Sequence, residues 1–172
     1  FNVGKQYTIL PFKGSYFSLR KGVKSFSNGL IYPVPDLNRP FLGVHTVKDM
    51  KGNTDFGPTA VPVFGRENYH GMSGMKFTDA TRIIYFLSKM YYHNKQGFRY
   101  YAHHEALNNI KSNFTKSAQK LVSGINKNDL LTSNKSGIRP QLFDKDKNEL
   151  VMDLKIEETK NTLHILNAMS PA

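Results

Sequence analysis

Short apolar runs fill the first third of the chain, which is typical of strands. Residues 6–20 are rich in Tyr, Phe, Ile and Leu and are interrupted by Pro11 and Gly14, a pattern that predicts two strands or one bent strand. Two more runs, over 30–34 and 41–46, are separated by prolines and predict two short strands joined by a loop. The first third is therefore expected to be β-rich.

The middle of the chain has the period of α-helices. Thr78 or Asp79 is suited to cap a helix whose apolar residues recur at helical spacing. Gly97 separates this helix from a second one predicted over 98–110, and a third short helix is predicted to end at Gly124. The middle third is therefore expected to be helical.

The last third returns to strands. Apolar residues at every second position over 150–157 predict a strand, and Leu163 and Ile165 repeat the pattern. Strands, then helices, then strands indicate an α+β fold with a mixed, largely antiparallel sheet and the helices of 78–123 packed at one side or end. At 172 residues the chain is expected to form one domain.

The charge of the chain limits the classes of binding partner that we expect. A formal net charge of +11 would suit a polyanion if the basic residues were clustered. The lysines are scattered and no stretch fits a nucleic-acid-binding motif, so no nucleic acid is expected as a partner. The positive field instead suits anionic substrates or an anionic membrane surface.

Some residue types are missing altogether. The chain has no cysteine, which excludes disulfides, thiolate catalysis and Cys-based zinc sites. No apolar run approaches the ~20 residues that span a bilayer, so we expect a cytoplasmic protein. This prediction includes the option of peripheral contact with the inner membrane. The chain begins at Phe1 rather than Met and stops just after a strand-like run, which favours a piece of a longer protein.

Two stretches of the sequence resemble metal-binding sites, but neither has the full set of ligands at the right positions. The run Asp144-Lys145-Asp146-Lys147-Asn148 begins like a calcium loop, but Glu149 stands where the turn needs Gly and Lys155 where the bidentate Glu belongs. A charged hairpin tip is the better interpretation. The run His103-His104-Glu105 places adjacent side chains about a hundred degrees apart on a helix, so a solvated helix face is favoured over a metal site.

Four residues are better candidates for chemistry. Gly14, between two strand-like runs, allows a ligand or another backbone to come close, although a plain β-bulge explains it equally. Tyr32 and His45 lie near predicted strand ends, where the Tyr can donate a hydrogen bond and the His can accept a proton. Arg139, between Gly137 and Pro140, offers a guanidinium fork that matches a substrate carboxylate.

The order of several segments resembles the L-2-hydroxyglutarate oxidase/dehydrogenase family, within the D-amino-acid-oxidase-like flavoproteins. The resemblance covers nearly the whole chain and is strongest in Tyr32-Pro33-Val34-Pro35-Asp36 and Phe41-Leu42-Gly43-Val44-His45, whereas 70–112 match only in helical character. The segments that carry it are 9–16, 30–36, 41–46, 56–60, 66–69, 137–141 and 163–171.

This resemblance implies an enzyme that moves hydride from C2 of a 2-hydroxy acid onto FAD, converting L-2-hydroxyglutarate to 2-oxoglutarate, with oxygen or a quinone as the final acceptor. It implies that 1–172 form the substrate-binding domain, with about the last 35 residues leading back into an FAD-binding fold that lies mostly outside this chain. No G-x-G-x-x-G loop follows a strand here, so FAD is not expected to bind this chain alone.

The resemblance and the residue chemistry together suggest site roles. We expect His45 to accept the hydroxyl proton, Arg139 to hold the substrate carboxylate and Tyr32 to orient the substrate. The remaining expected contacts are Lys13 and Thr46 to substrate, and Gly14, Ser170 and Pro171 to the cofactor.

Two alternatives stay open. One is a malate:quinone-type enzyme, or another 2-hydroxy-acid or amino-acid flavoenzyme of the same superfamily, because the sequence does not give the length of the pocket. The other is a non-catalytic module that uses its basic surface to bind nucleic acid or a membrane.

Overall fold

The computed structural model describes residues 1–23, 28–35 and 41–168. Its strands are β1 (Tyr7–Leu19), β2 (His45–Lys48), β3 (Thr54–Gly57), β4 (Val61–Pro62), β5 (Leu130–Asp144), β6 (Glu149–Leu150), β7 (Ile156–Glu158) and β8 (Leu163–Ile165). Its α-helices are α1 (Phe77–His93), α2 (Phe98–Asn108) and α3 (Lys111–Gln119).

Two long strands form the centre of the main sheet. β1 and β5 pair along most of their length, the order across the sheet is β2-β3-β1-β5-β6, and β4 also pairs with β1. Every pairing is antiparallel among the residues described, and β7 and β8 form a separate two-stranded sheet. The predicted α+β fold with a largely antiparallel sheet is therefore confirmed.

An irregularity opposite Tyr16 divides the β1–β5 pairing into two halves. Ser15 pairs with Ser136 but Phe17 pairs with Thr132, so residues 133–135 of β5 lie opposite the single residue Tyr16. β5 therefore bulges here and carries two residues more than a regular ladder would. Phe12 lies before this point and Phe17 after it, and each is buried in a separate cluster of the core.

The hydrophobic core consists of two clusters, one for each half of β1. The first joins the sheet to α1 and α2, and the second joins it to α3 and the segment after it. The buried members of the first are Leu10, Phe12, Ala60, Ile83, Met90, Phe98, Tyr101, Phe143 and Leu150. Those of the second are Phe17, Phe56, Phe114, Ala118, Val122, Ile125 and Leu130. Two members of the first cluster, Phe12 and Ala60, also line the candidate site described below.

The predicted strand over 150–157 is wrong in its middle. Only Glu149–Leu150 and Ile156–Glu158 are extended and paired, with a bend at Asp153 between them. The side chain of the buried Asn167 replaces ladder partners there, because its amide donates to the carbonyl of Asp153 and its oxygen accepts from the backbone N–H of Lys155. The alternation in the sequence therefore does not correspond to a continuous strand with one buried face, and Met152, Leu154 and Ile156 are exposed.

The strands predicted over 30–34 and 41–46 also differ from the structure. Residues 30–34 form no strand, although the backbone of Ile31 bonds both the backbone and the hydroxyl of Thr46. The second strand begins only at His45. Conversely, β5 was not predicted as a strand, because its polar residues and its Gly and Pro resemble a loop.

The helices agree with the prediction in number and order and differ at their ends. α1 begins at Phe77 with Lys76 as N-cap, and α2 begins after Gly97 as predicted. α3 ends at Gln119, so Gly124 is not its last residue. Among the described residues no helix is long and apolar enough to cross a membrane.

The interpretations of the two stretches that resemble metal-binding sites, 144–148 and 103–105, agree with the structure to different extents. The predicted hairpin tip is confirmed, since residues 145–148 turn between β5 and β6 and the Asp144 carboxylate accepts two backbone N–H groups of that turn. The solvated face predicted over 103–105 holds for His103 and is wrong for Glu105, whose carboxylate accepts a hydrogen bond from the Ala60 N–H instead. Within the described residues no cluster of His, Asp and Glu is arranged to hold a metal ion.

Candidate active site

A cleft of about 370 Å³ opens on the sheet where β1 and β5 run side by side. Its walls are two irregular segments, 41–42 and 58–60, that pass over the strands. The residues that line it are Phe12, Gly14, Tyr16, Phe41, Leu42, His45, Pro58, Thr59, Ala60, Gly137, Ile138 and Arg139. The lining is mostly apolar with a few convergent polar groups, which is the usual composition of a small-molecule site.

Two glycines face each other across the strands at the cleft. Gly14 of β1 and Gly137 of β5 are partners in the register. A Cβ on Gly14 would lie 2.7 Å from Cβ of Pro58, so this glycine allows the 58–60 wall to approach the strand. A Cβ on Gly137 would meet nothing within 4 Å, so here the backbone is open to the cleft. Of the alternatives for Gly14, close approach of another chain segment is therefore observed.

Backbone hydrogen bonds tie the 58–60 wall to β1. Thr59 donates its N–H to the carbonyl of Ser15 at 3.0 Å, and the N–H of Ser15 donates to Thr59 Oγ1 at 3.1 Å. Gly57 precedes the wall with φ of 152°, and its missing side chain leaves room for the Tyr16 ring. The wall is thus fixed by a reciprocal pair of hydrogen bonds and a glycine.

Tyr16 brings a phenol to the cleft. Burial raises the pKa of Tyr16, and the negative charge of nearby Asp55 raises it further. Asp55 is itself buried, accepts from Ser18 Oγ at 2.6 Å and pairs with the ammonium of Lys135. A phenol in this setting stays protonated and can donate a hydrogen bond to a ligand oxygen.

His45 presents one ring nitrogen as an acceptor. Its Nδ1 lies 3.2 Å from the carbonyl of Gly43, and because a carbonyl can only accept, Nδ1 carries the proton and Nε2 is left to accept one. Burial lowers the pKa of His45, and the hydrogen bond to Gly43 offsets part of that effect. The ring is therefore neutral at neutral pH and suited to take a proton.

Arg139 lies at the rim of the same cleft. It pairs with Phe12 in the β1–β5 register, and its Cζ is 5.4 Å from the centroid of the Phe41 ring. Phe41 in turn packs against Phe12, with ring centroids 4.8 Å apart. An aromatic face under a guanidinium limits the orientations of its planar fork.

The structure brings together some of the residues expected at the site and separates others. Gly14, His45 and Arg139 line one cleft, and Tyr32 stacks on His45 at its edge. Lys13 and Thr46 do not line it. The ammonium of Lys13 bonds the carbonyl of Tyr69, and the buried Thr46 hydroxyl accepts from the backbone N–H of Ile31. Ser170 and Pro171 lie outside the described residues.

Several lining residues were not among the predicted site residues, including Tyr16, Phe41 and Thr59. Tyr16 could have been found, because it stands two positions after Gly14 and period-two alternation places it on the same face. Thr59 and Phe41 could not, because their positions depend on how the two wall segments cross the strands.

No protein-family model matches the chain. Curated relatives do match it over nearly its whole length. An L-2-hydroxyglutarate dehydrogenase of Indibacter alkaliphilus is 35% identical over 171 residues, covering 95% of this chain and 40% of the relative. These similarities are consistent with a fragment of the L-2-hydroxyglutarate dehydrogenase family.

Two further L-2-hydroxyglutarate dehydrogenases match to a similar extent. The Escherichia coli (strain K12) protein is 33% identical, with 96% of this chain and 38% of the relative covered. The Homo sapiens mitochondrial protein is 35% identical, with 95% of this chain and 36% of the relative covered. The chain therefore spans 36 to 40% of the length of these relatives.

Proposed function

We propose that the full-length protein oxidises a 2-hydroxy acid, with L-2-hydroxyglutarate as the first candidate, to the corresponding 2-oxo acid. The main support for this proposal is that His45 and Arg139, which are far apart in the sequence, line the same cleft. The names of the relatives supply the substrate class. We also propose that residues 1–172 form the substrate-side domain.

Arg139 holds the substrate carboxylate in this proposal. A 2-hydroxy acid carries a carboxylate next to the reacting carbon, and a guanidinium binds it through two parallel hydrogen bonds. The Phe41 ring beneath the guanidinium supports one orientation of the fork, which fixes the direction of the C2–H bond. Arg139 is thus a binding and orienting group and does not exchange protons with substrate.

His45 accepts the proton of the C2 hydroxyl. Loss of hydride from C2 leaves two electrons and a hydrogen with the acceptor, while the hydroxyl proton passes to Nε2 of His45 and the carbonyl of the 2-oxo acid forms. The phenol of Tyr16 donates a hydrogen bond to the same substrate oxygen. Tyr32 keeps the imidazole in place by stacking on it. Thr46 contributes indirectly, by holding the backbone next to Tyr32.

A flavin, FAD by resemblance, supplies the hydride acceptor when bound. The residues present fit one face of a flat ring, because Gly137 exposes bare backbone and the neighbouring lining is apolar. The sequence has no glycine-rich phosphate loop, so the rest of the cofactor would be held by other parts of the enzyme. Gly14, Ser170 and Pro171 remain proposed cofactor contacts, and Lys13 a proposed substrate contact.

The test is hydroxy-acid-dependent reduction of an electron-accepting dye by the full-length protein. L-2-hydroxyglutarate, its D enantiomer, L-malate and L-lactate should be compared at matched concentrations, followed by reoxidation with oxygen or a soluble quinone. We expect the L enantiomer of 2-hydroxyglutarate to give the highest kcat/KM. Preference for malate would instead favour the malate:quinone-type alternative, and no reduction by any acid would contradict the proposal.

A further inference from the structure

Helix α2 holds both backbone polar groups of one residue in the cleft wall. The N–H of Ala60 donates to Glu105 Oε2 at 2.9 Å, and the Tyr101 hydroxyl donates to the carbonyl of Ala60 at 3.0 Å. Ala60 is buried and lines the cleft. Two side chains of one helix therefore hold both polar groups of a residue in the wall.

The Glu105 carboxylate is itself held in place. Its side chain is 15% exposed, and its other oxygen, Oε1, lies 3.4 Å from both Asn108 Nδ2 and His104 Nδ1. Asn108 is buried and accepts from Ser117 of α3 at 3.1 Å. A largely buried carboxylate carries a desolvation penalty, and one of the hydrogen bonds that offset it here comes from a backbone N–H of the cleft wall.

Packing alone does not fix this wall, because there is space behind it. A second cavity of about 210 Å³ lies between the wall and helices α2 and α3. Four residues line both cavities, and they are Phe41, Leu42, Pro58 and Ala60. This thin partition can shift toward either side without overlapping atoms of a close-packed core, unless hydrogen bonds hold it.

We propose that Glu105 is a positioning residue for the substrate cleft, which it shapes by holding the N–H of Ala60. The inference rests on the proposed function only for its effect on catalysis. The carboxylate does not touch the substrate. It keeps the partition at the distance from His45 and Arg139 at which a bound hydroxy acid has its C2–H aligned.

Loss of the bond should affect alignment more than binding. In Glu105→Leu the carboxylate clamp at Arg139 is intact, so KM should change by less than roughly 3-fold, while kcat falls by roughly 10- to 100-fold through misalignment. Glu105→Gln keeps a carbonyl-type acceptor for the Ala60 N–H and should restore most of kcat. Glu158→Leu, which removes an exposed carboxylate on β7, is the matched control and should leave kcat and KM unchanged.

Hydrogen exchange of the full-length protein provides a readout that does not depend on activity. Exchange of the Ala60 amide, measured on peptides covering 58–62, should be faster in Glu105→Leu and unchanged in Glu105→Gln and Glu158→Leu. If Glu105→Leu does not fold, Tyr101→Phe removes the other half of the clamp and should accelerate exchange of the same peptides.

The two proposals fail in different ways. If the wild-type protein oxidises no hydroxy acid but exchange responds as expected, the clamp stands and the proposed function falls. Unchanged Ala60 exchange in Glu105→Leu, or a loss of kcat that Glu105→Gln does not restore, overturns the positioning role. A rise in KM with unchanged kcat would also overturn it, because it would indicate a role in binding.

Discussion

The rings of Tyr32 and His45 stack with their centroids 4.6 Å apart and their planes inclined by 22°. Tyr32 lies in a segment without regular structure, and His45 is the first residue of β2. The stack covers one face of the imidazole and contributes to its burial. An exposed tyrosine thus affects the proton affinity of the proposed base.

Replacing Tyr32 should shift the pH dependence of the enzyme. Burial lowers the pKa of His45, so Tyr32→Ala, which uncovers the ring, should raise that pKa toward its ordinary value. The base works only when neutral, so kcat/KM should fall at a higher pH than in the wild type as the solution is acidified. The measurement is the acidic limb of the pH profile. Tyr32→Phe keeps the stack and should keep the wild-type profile, and identical limbs for Ala and wild type would refute the link.

Removing the proposed base should reduce the chemical step. His45→Asn leaves a polar side chain that cannot accept a proton at neutral pH, so kcat should fall by roughly 10²- to 10⁴-fold with little change in substrate binding. Steady-state kinetics of the full-length enzyme measure this. His70→Asn, at an exposed position outside the cleft, should keep wild-type rates. Near-native kcat in His45→Asn would assign the base elsewhere.

Removing the proposed carboxylate clamp should weaken binding. Arg139→Ala should raise KM by roughly 10- to 100-fold, since charge-assisted hydrogen bonds are lost. Arg139→Lys should recover only part of this, because lysine keeps the charge and loses the planar fork. The control is Arg20→Ala, at an exposed position just after β1. Equal KM values for Arg139→Ala and wild type would exclude this role.

Gly57 is expected to be important for stability. At its φ of 152° a side chain is strained, and a Cβ would lie 2.7 Å from Cδ1 of Tyr16 and 2.8 Å from the carbonyl of Ser15. Gly57→Ala should therefore lower the free energy of unfolding by about 2–4 kcal/mol. Denaturant unfolding measures this, with Gly29→Ala as a control at a glycine whose Cβ would meet nothing within 4 Å. An unfolding free energy equal to the wild type would show that the strand and wall can separate.

Substitution of Gly137 should lower activity without lowering stability, in contrast to substitution of Gly57. A Cβ there has free space, so Gly137→Ala should leave the melting temperature unchanged or raise it, as expected for Gly→Ala in a strand. The methyl group projects into the cleft where a ligand would approach bare backbone, so kcat/KM should fall by roughly 10-fold. Thermal unfolding and kinetics together check this. A stable and fully active variant would indicate that no ligand reaches this part of the strand.

The sequence predicted the fold class and part of the candidate site for physical reasons. The helical period through α1 and the apolar content of β1 follow from local burial, so both were predicted. β5 was not, because its exposed polar stretch gains its order from pairing with β1, a contact between distant parts of the chain. Residue chemistry was enough to suggest His45 and Arg139. It could not separate them from Lys13, since the direction of a strand side chain depends on register.

The long strand β1 limits where the chain can change in length. It supplies both cleft-lining residues and core residues, and its side chains alternate between the two faces of the sheet, so all of the length variation at the bulge opposite Tyr16 is taken up by β5. Deleting one residue between Gly14 and Phe17 would turn either the aromatic core or the cleft lining to the wrong face, so length variation in β1 should be eliminated by selection. The wall segment 58–60 is also constrained, because hydrogen bonds with Ser15, Glu105 and Tyr101 hold it. Adaptation to new substrates should therefore proceed through substitutions around 41–42, while the strand beneath keeps its length.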